Sequence, residues 1–194
     1  KGLIVNCITG WQCAKINRIK LHAYGLADQY NLQEPGAAAA LDAAIAGAYK
    51  KGKPFVAYYW EPTWLAGSFD LVQLEEPPFT AECNDEIQLA LTDKVSLDQV
   101  TSKAGCAYET IGVHKGVSSK LKDRAPELVE FLTKMNVGTD PLNRTAAYMQ
   151  DKNATADEAA IWFFENYQDR WRSWIPSDVQ KKVEDALKAA GAKL

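Results

Sequence analysis

Apolar positions along this chain follow two rhythms, and the passage from one to the other divides it. Leu3 to Val5 is a short apolar run that reads as the end of a strand. Ile16, Ile19 and Ala23 then recur on one helical face and predict a helix over residues 14–26. Pro35-Gly36 interrupts the pattern, after which Leu41, Ala44, Ile45, Ala48 and Tyr49 mark a second helix that Lys51-Gly52-Lys53-Pro54 ends. Residues 55–60 and 69–74 read as two further strands, bounded by the paired prolines Pro77 and Pro78. Strand, helix, helix and strand joined by short connections predict an α/β layer.

Beyond Pro78 the pattern becomes irregular and polar as far as Gly105, with room for a short helix over 96–103. Residues 107–114 alternate as a strand does, and helical spacing dominates the remainder, near 126–135, 141–150, 156–167 and 177–190. The chain therefore reads as an α/β segment over 1–77 and an excursion followed by a mainly helical part over 78–194.

Composition narrows the function classes. With 194 residues, of which 47% are hydrophobic, the chain can supply an ordinary globular core, which excludes a disordered tail. The net charge is -3 and the 22 basic residues are scattered, so neither a nucleic acid nor an anionic membrane finds an electrostatic footprint. No apolar run approaches the length of a bilayer span, and Lys1 is followed by a short apolar strand where a signal sequence would show a longer apolar core. A mature terminus or an artificial cut fits that start.

The four cysteines, Cys7, Cys13, Cys83 and Cys106, form no C-x-x-C pair and have no neighbouring histidines, so a zinc site is excluded and disulfides are the default expectation. An oxidising compartment follows from that reading, against the alternative of four buried thiols in a reduced one. Cys83 to Cys106 would staple the 78–105 excursion, and Cys7 to Cys13 would close a loop that holds up Trp11.

That loop, Cys7-Ile8-Thr9-Gly10-Trp11-Gln12-Cys13, and the aromatic stretch Tyr58-Tyr59-Trp60-Glu61-Pro62-Thr63-Trp64 carry the chemistry. Tryptophan faces attract weakly hydrated organic cations, and a cage of them suits a quaternary ammonium group. A loop feeding a helix start also offers unpaired amides and the positive end of the helix dipole, which suit a carboxylate. A single zwitterion would use both.

The spacing Cys-x5-Cys around Gly10-Trp11, followed by Asn17, Ala23-Tyr24, Lys51-Gly52-Lys53-Pro54 and Tyr58-Tyr59-Trp60-x-Pro62-x-Trp64, resembles the glycine betaine-binding proteins of osmoprotectant ABC importers. The resemblance continues through 69–74 and, more loosely, through Ile111-Gly112-Val113-His114-Lys115 and the helix near Pro126 to Phe131. It implies a periplasmic-binding-protein type II-like fold, a two-lobed α/β trap, here as one lobe plus the C-terminal part of the other, with the opening part of the first lobe and its aromatic wall having no counterpart. By motif, Trp11 and Trp60 resemble the tryptophans that face the trimethylammonium group, and the amides of Gln12 and Cys13 those that hold the carboxylate. Gly10, Glu61 and Trp64 are further candidates for the site.

The resemblance implies an extracytoplasmic solute-binding protein whose partners are a small quaternary ammonium ligand and the membrane subunits of an ABC importer, with no cofactor and no catalysis. Glycine betaine leads; choline, carnitine, trimethylamine N-oxide or a sulfonium analogue could fill the same cage. Binding by this chain alone is expected to be weaker than in an intact trap. Two other classes compete: a hydrolase with a histidine-activated cysteine, in which His22 or His114 would act, and an interaction fragment that dimerises through an uncovered face. Trp162, Trp171 and Trp174, with Phe163, Phe164 and Tyr167, read as core.

Overall fold

A computed structural model describes residues 1–194, which fall into two compact units. The first unit joins Lys1–Tyr59 to Val72–Ile111; the second joins Trp60–Leu71 to Gly112–Leu194. The chain thus passes between them at 59/60, 71/72 and 111/112, whereas residue 77 lies inside the first unit.

The first unit holds a three-stranded parallel sheet in the order β2-β1-β3, from β1 (Gly2–Val5), β2 (Tyr30–Gln33) and β3 (Val56–Ala57). Gly2 to Val5 pair in register with Tyr30 to Gln33 on one side, and Ile4 and Val5 with Val56 and Ala57 on the other. Helix α1 (Gln12–Ala23) connects β1 to β2, and α2 (Ala38–Lys50) leads from β2 to β3. Because successive strands are added on opposite sides of β1, right-handed crossovers put α1 and α2 on opposite faces of the sheet. The chain reverses its direction of winding at β1. In such open sheets the crevice outside the carboxyl end of the switch-point strand is where ligands bind.

The expected helices at 14–26 and over Leu41 to Tyr49 are present as α1 and α2, with Leu41 and Ile45 fully buried. The strand β2 was not legible, being four residues with polar alternate positions; its pairing with β1 makes it a strand. The strand expected over 55–60 shrinks to Val56–Ala57, although Tyr58 extends the pairing by donating its amide to the Val5 carbonyl at 2.8 Å.

The stretch 78–105 is more regular than its polarity suggested. Helix α4 (Ala81–Leu91) starts at Thr80, whose hydroxyl accepts from the Cys83 amide at 3.1 Å, and buries Cys83, Ile87 and Ala90 against Ile19 and Ala23 of α1. In place of a helix over 96–103 there are two single 3₁₀ turns, Leu97–Gln99 and Ser102–Ala104. Cys83 is bonded to Cys106, and Ala104 and Cys106 complete the cluster that α1 and α4 share.

In the second unit α3 (Trp64–Ser68) packs along α7 (Thr139–Lys152). Gly67 permits that approach: a Cβ there would lie 2.1 Å from the Asn143 carbonyl oxygen. Helices α5 (Leu121–Arg124), α6 (Pro126–Lys134), α8 (Ala156–Asn166), α9 (Gln168–Arg172) and α10 (Ser177–Ala189) follow. Their core is Phe163, Trp171 and Trp174, packed by Phe131, Val183 and Leu187. Trp171 donates its indole N–H to the Phe164 carbonyl at 2.9 Å, and Trp162 stacks on Tyr148 with centroids 5.0 Å apart, so the tail tryptophans are structural as expected.

The strands expected over 69–74 and 107–114 do not form. Both stretches lack secondary structure, and Val72, Ile111 and Val113 are 86%, 78% and 94% exposed. Alternation makes a strand only where another strand offers its edge, and neither stretch is paired in the sheet.

Candidate functional site

The loop from β1 to α1 leaves the sheet at the switch point and is tied down at almost every residue. Asn6 follows β1, is fully buried, and donates its amide N–H to the Gln33 carbonyl at 2.7 Å. Cys7 and Ile8 are buried, and Cys7 is bonded to Cys13. Thr9 donates its backbone N–H to the Pro35 carbonyl at 2.8 Å, and the Trp11 N–H reaches the Ile8 carbonyl at 3.0 Å. Gly10 turns the chain at φ 86°, a left-handed conformation in which a side chain would be strained.

The consequence is the placement of Trp11. It stands at the N-cap of α1 with extended backbone angles and is 51% exposed, although Cys7 and Ile8 at the root of the loop are core. The exposure of this residue on a disulfide-closed loop excludes a core role for the indole beside the disulfide.

Gln12 and Cys13 are the first residues of α1, and their amides are among the donors that a helix cannot satisfy internally. The Trp11 side chain makes no cap bond, and no acidic residue occupies the first turn to compete for them. Gly10, Trp11, Gln12 and Cys13 therefore form one group, in which an aromatic face adjoins an anion-seeking helix start.

Trp60, Glu61 and Trp64 form a second group, in the second unit. Glu61 is exposed, and its Oε1 accepts from Asn143 Nδ2 at 3.0 Å, while the Thr63 amide donates to Asn143 Oδ1 at 2.7 Å. One buried Asn of α7 thereby holds both sides of Pro62. Thr63 caps α3, its hydroxyl accepting from the Ala66 amide at 3.4 Å, and Trp64, the first residue of that helix, meets Phe69 edge-on at 6.1 Å. Trp60 is half-buried.

Sequence reasoning quoted Tyr58 only within the aromatic stretch and passed over Tyr108, both of the first unit. Tyr58 directly follows β3 at the carboxyl end of the sheet, and its ring lies 5.5 Å from that of Tyr108. Burial raises the phenol pKa of each, for Tyr108 with a further contribution from the Tyr58 and Glu76 charges. Tyr59 is anchored away from them, donating to Asp42 of α2 at 2.6 Å. The periodicity around Tyr108 was that of a strand, which gave no sign that its side chain reaches back to α1.

The groups a cysteine hydrolase would need are not assembled. All four cysteines are in disulfides, His22 lies half-buried on α1 and His114 is exposed. No cluster of three or more His, Cys, Asp or Glu side chains could hold a metal ion, and no helix is long and apolar enough to cross a membrane.

Residues 1–166 match the OpuAC family, the substrate-binding domain of ABC-type glycine betaine transport systems. The chain belongs to this family. A trimethylamine N-oxide-binding protein of Pelagibacter ubique is 26% identical over 76% of this chain and 43% of its own length. A glycine betaine/proline betaine-binding periplasmic protein of Escherichia coli is 23% identical over 97% of this chain and 54% of its own. A glycine betaine-binding periplasmic protein of Dickeya dadantii is 33% identical over a shorter match, 40% of this chain and 24% of its own. This OpuAC chain thus spans about half the length of the E. coli relative it matches.

Among solved structures, a glycine betaine/L-proline-binding protein from Borrelia burgdorferi superposes with a TM-score of 0.50 at 14% identity, over 93% of this chain and 57% of that one. That likeness concerns the fold, and with the parallel sheet it gives the α/β, periplasmic-binding-protein type II-like class expected from the sequence.

Proposed function

We propose that this chain is the ligand-bearing part of an extracytoplasmic solute-binding protein that captures glycine betaine and hands it to the membrane subunits of an ABC importer. The observation that carries the reading is the adjacency of an exposed Trp11 and the open amides of Gln12 and Cys13 on a rigid loop at the sheet's switch point. The indole face takes the trimethylammonium group and the helix start takes the carboxylate. Gly10 shapes the turn that presents Trp11, and Trp60, with Glu61 and Trp64, is a separate candidate aromatic group of the second unit.

Family membership and the names of the relatives support a quaternary ammonium or amine-oxide ligand. Each desolvated cation–indole contact contributes about 1–2 kcal/mol, so the Trp11 face and the carboxylate clamp beside it each carry a measurable share of the affinity after ordering costs. Residues 1–59 with 72–111 would correspond to the second lobe of a trap, and residues 60–71 with 112–194 to the part of the chain that completes the first, in place of the division at residue 77 expected from the sequence. Because the chain spans 54% of the E. coli relative, affinity is expected to be lower than in a protein of full family length.

The two disulfides and the periplasmic relatives favour a location outside the cytoplasm. The reading requires no chemistry on the ligand, hence no enzymatic activity and no cofactor. Titration with glycine betaine, trimethylamine N-oxide and choline tests it: saturable heat with betaine supports capture, and silence toward all three overturns it for this chain. The second name among the relatives makes trimethylamine N-oxide the runner-up, since its oxide can meet the same amides.

A further inference from the structure

We infer that Tyr108 is a positioning residue that grips the first turn of α1 and sets its hold on the ligand's anionic end; the ligand part of this inference rests on the capture reading above. The Tyr108 hydroxyl lies 2.7 Å from Asn17 Oδ1 and 3.4 Å from the Cys13 carbonyl, residues more than ninety positions away in sequence. Donation to Asn17 starts a relay with one consistent direction. Asn17 Nδ2 donates to Asn6 Oδ1 at 2.8 Å, and Asn6 Nδ2 donates to the Ala14 carbonyl at 3.1 Å and to Glu34 Oε1 at 3.2 Å. The side-chain amides of Asn6 and Asn17 are thereby oriented, and the turn carrying the Gln12 and Cys13 amides is fastened by these bonds in addition to the disulfide.

Tyr108 is itself held from three directions. Its ring packs against Tyr58, and the Lys20 ammonium sits 4.5 Å from its centroid. Lys20 is only 5% exposed and is neutralised by Glu76 at 2.5 Å, which also accepts from the Tyr24 hydroxyl at 2.7 Å. Two residues before Tyr108, the Cys106 bond to α4 anchors the backbone. Burial keeps the phenol protonated through neutral pH, so it remains a donor.

A binding group held before the ligand arrives loses less freedom on binding, and that saving is specific to the ligand atoms it touches. The Gln12 and Cys13 amides address a carboxylate and have nothing to offer choline, which is cationic without an anionic end. Tyr108 therefore acts on betaine more than on choline. This separates a positioning role from a general loss of folding, which would weaken both.

The test compares the wild-type chain with Tyr108→Phe, which keeps the ring beneath Lys20 and removes only the hydroxyl, and with Tyr24→Phe as a control on the far side of Glu76. Amide hydrogen exchange in residues 12–18 is expected to quicken in Tyr108→Phe while α4 is unchanged, and Tyr24→Phe leaves residues 12–18 as they were. Loss of this one hydrogen bond raises the betaine dissociation constant about tenfold and the choline constant less than about twofold. Unchanged exchange in residues 12–18, a uniform rise across the unit, or equal weakening of both ligands overturns the inference. If the wild type binds neither ligand, the capture reading fails and the exchange pattern alone decides the grip of Tyr108 on α1.

Discussion

Asn143 holds Glu61 through a 3.0 Å hydrogen bond from its side-chain amide, and with its carbonyl oxygen accepts from the Thr63 amide two residues further on. A helix residue thereby sets the course of the segment that carries Trp60 and Trp64. Asn143 is buried, so its replacement by alanine removes two hydrogen bonds and leaves the Thr63 N–H to find a new partner. Asn143→Ala is expected to destabilise the second unit by about 2–3 kcal/mol in urea denaturation followed by tryptophan fluorescence. That probe is well placed, since five of the six tryptophans belong to this unit.

Gly67 gives a second test of the same contact. A methyl group there would press on the Asn143 carbonyl, a backbone atom that cannot swing aside. Gly67→Ala is expected to cost about 2–3 kcal/mol by forcing α3 off α7, read as a lowered melting temperature. A neutral effect would show that the two helices can separate freely.

The two disulfides should part company in their effects. Cys83–Cys106 closes a separation of 23 residues and Cys7–Cys13 one of 6, so chain entropy assigns the first about 3.4 kcal/mol and the second about 2.2 kcal/mol. Replacing Cys83 and Cys106 by alanine is expected to lower stability more, and replacing Cys7 and Cys13 to lower betaine affinity more, because only the latter pair frames Trp11. Thermal melts and ligand titrations of the two double variants read the contrast.

Much of this contrast was legible from the chain itself. The pair Cys7 and Cys13 around Gly10-Trp11 announced a rigid loop before a helix, and the structure places both cysteines and the exposed indole in that arrangement. The apolar spacing of Leu41 and Ile45 likewise sufficed for α2. What failed was long-range: 69–74 and 107–114 alternate as strands do, but a strand needs a neighbour that periodicity cannot name. Helix α4 was missed although Thr80 offered a cap and Cys83, Ile87 and Ala90 a helical stripe, because the polar residues between them dominated the impression. The Tyr108 relay joins residues 6, 17 and 108, a closeness only folding creates.

Tyrosine ionisation gives a pH test. Burial raises the phenol pKa of Tyr24, Tyr58 and Tyr108 above 10, for Tyr24 with help from the Glu76 hydrogen bond. The neutral phenol is thus favoured by folding: its contribution is fully present below the unfolded value of about 10 and fades as pH rises from there toward the folded value. Stability of the first unit is expected to be flat in this term at neutral pH and to decline above pH 10. Phenolate absorbance at 295 nm in the folded protein should lag that of the denatured chain, and superimposable curves would contradict the partial desolvation of these three hydroxyls.

The central claim is that Trp11 and the helix start beside it bind a quaternary ammonium zwitterion, and isothermal titration of glycine betaine into the wild-type chain and Trp11→Ala tests it most directly. Loss of one desolvated cation–indole contact is worth about 1–2 kcal/mol, so the variant should bind about 5- to 30-fold more weakly while melting as the wild type does. Equal betaine affinity in the two proteins, or no binding heat from the wild type, would contradict the account.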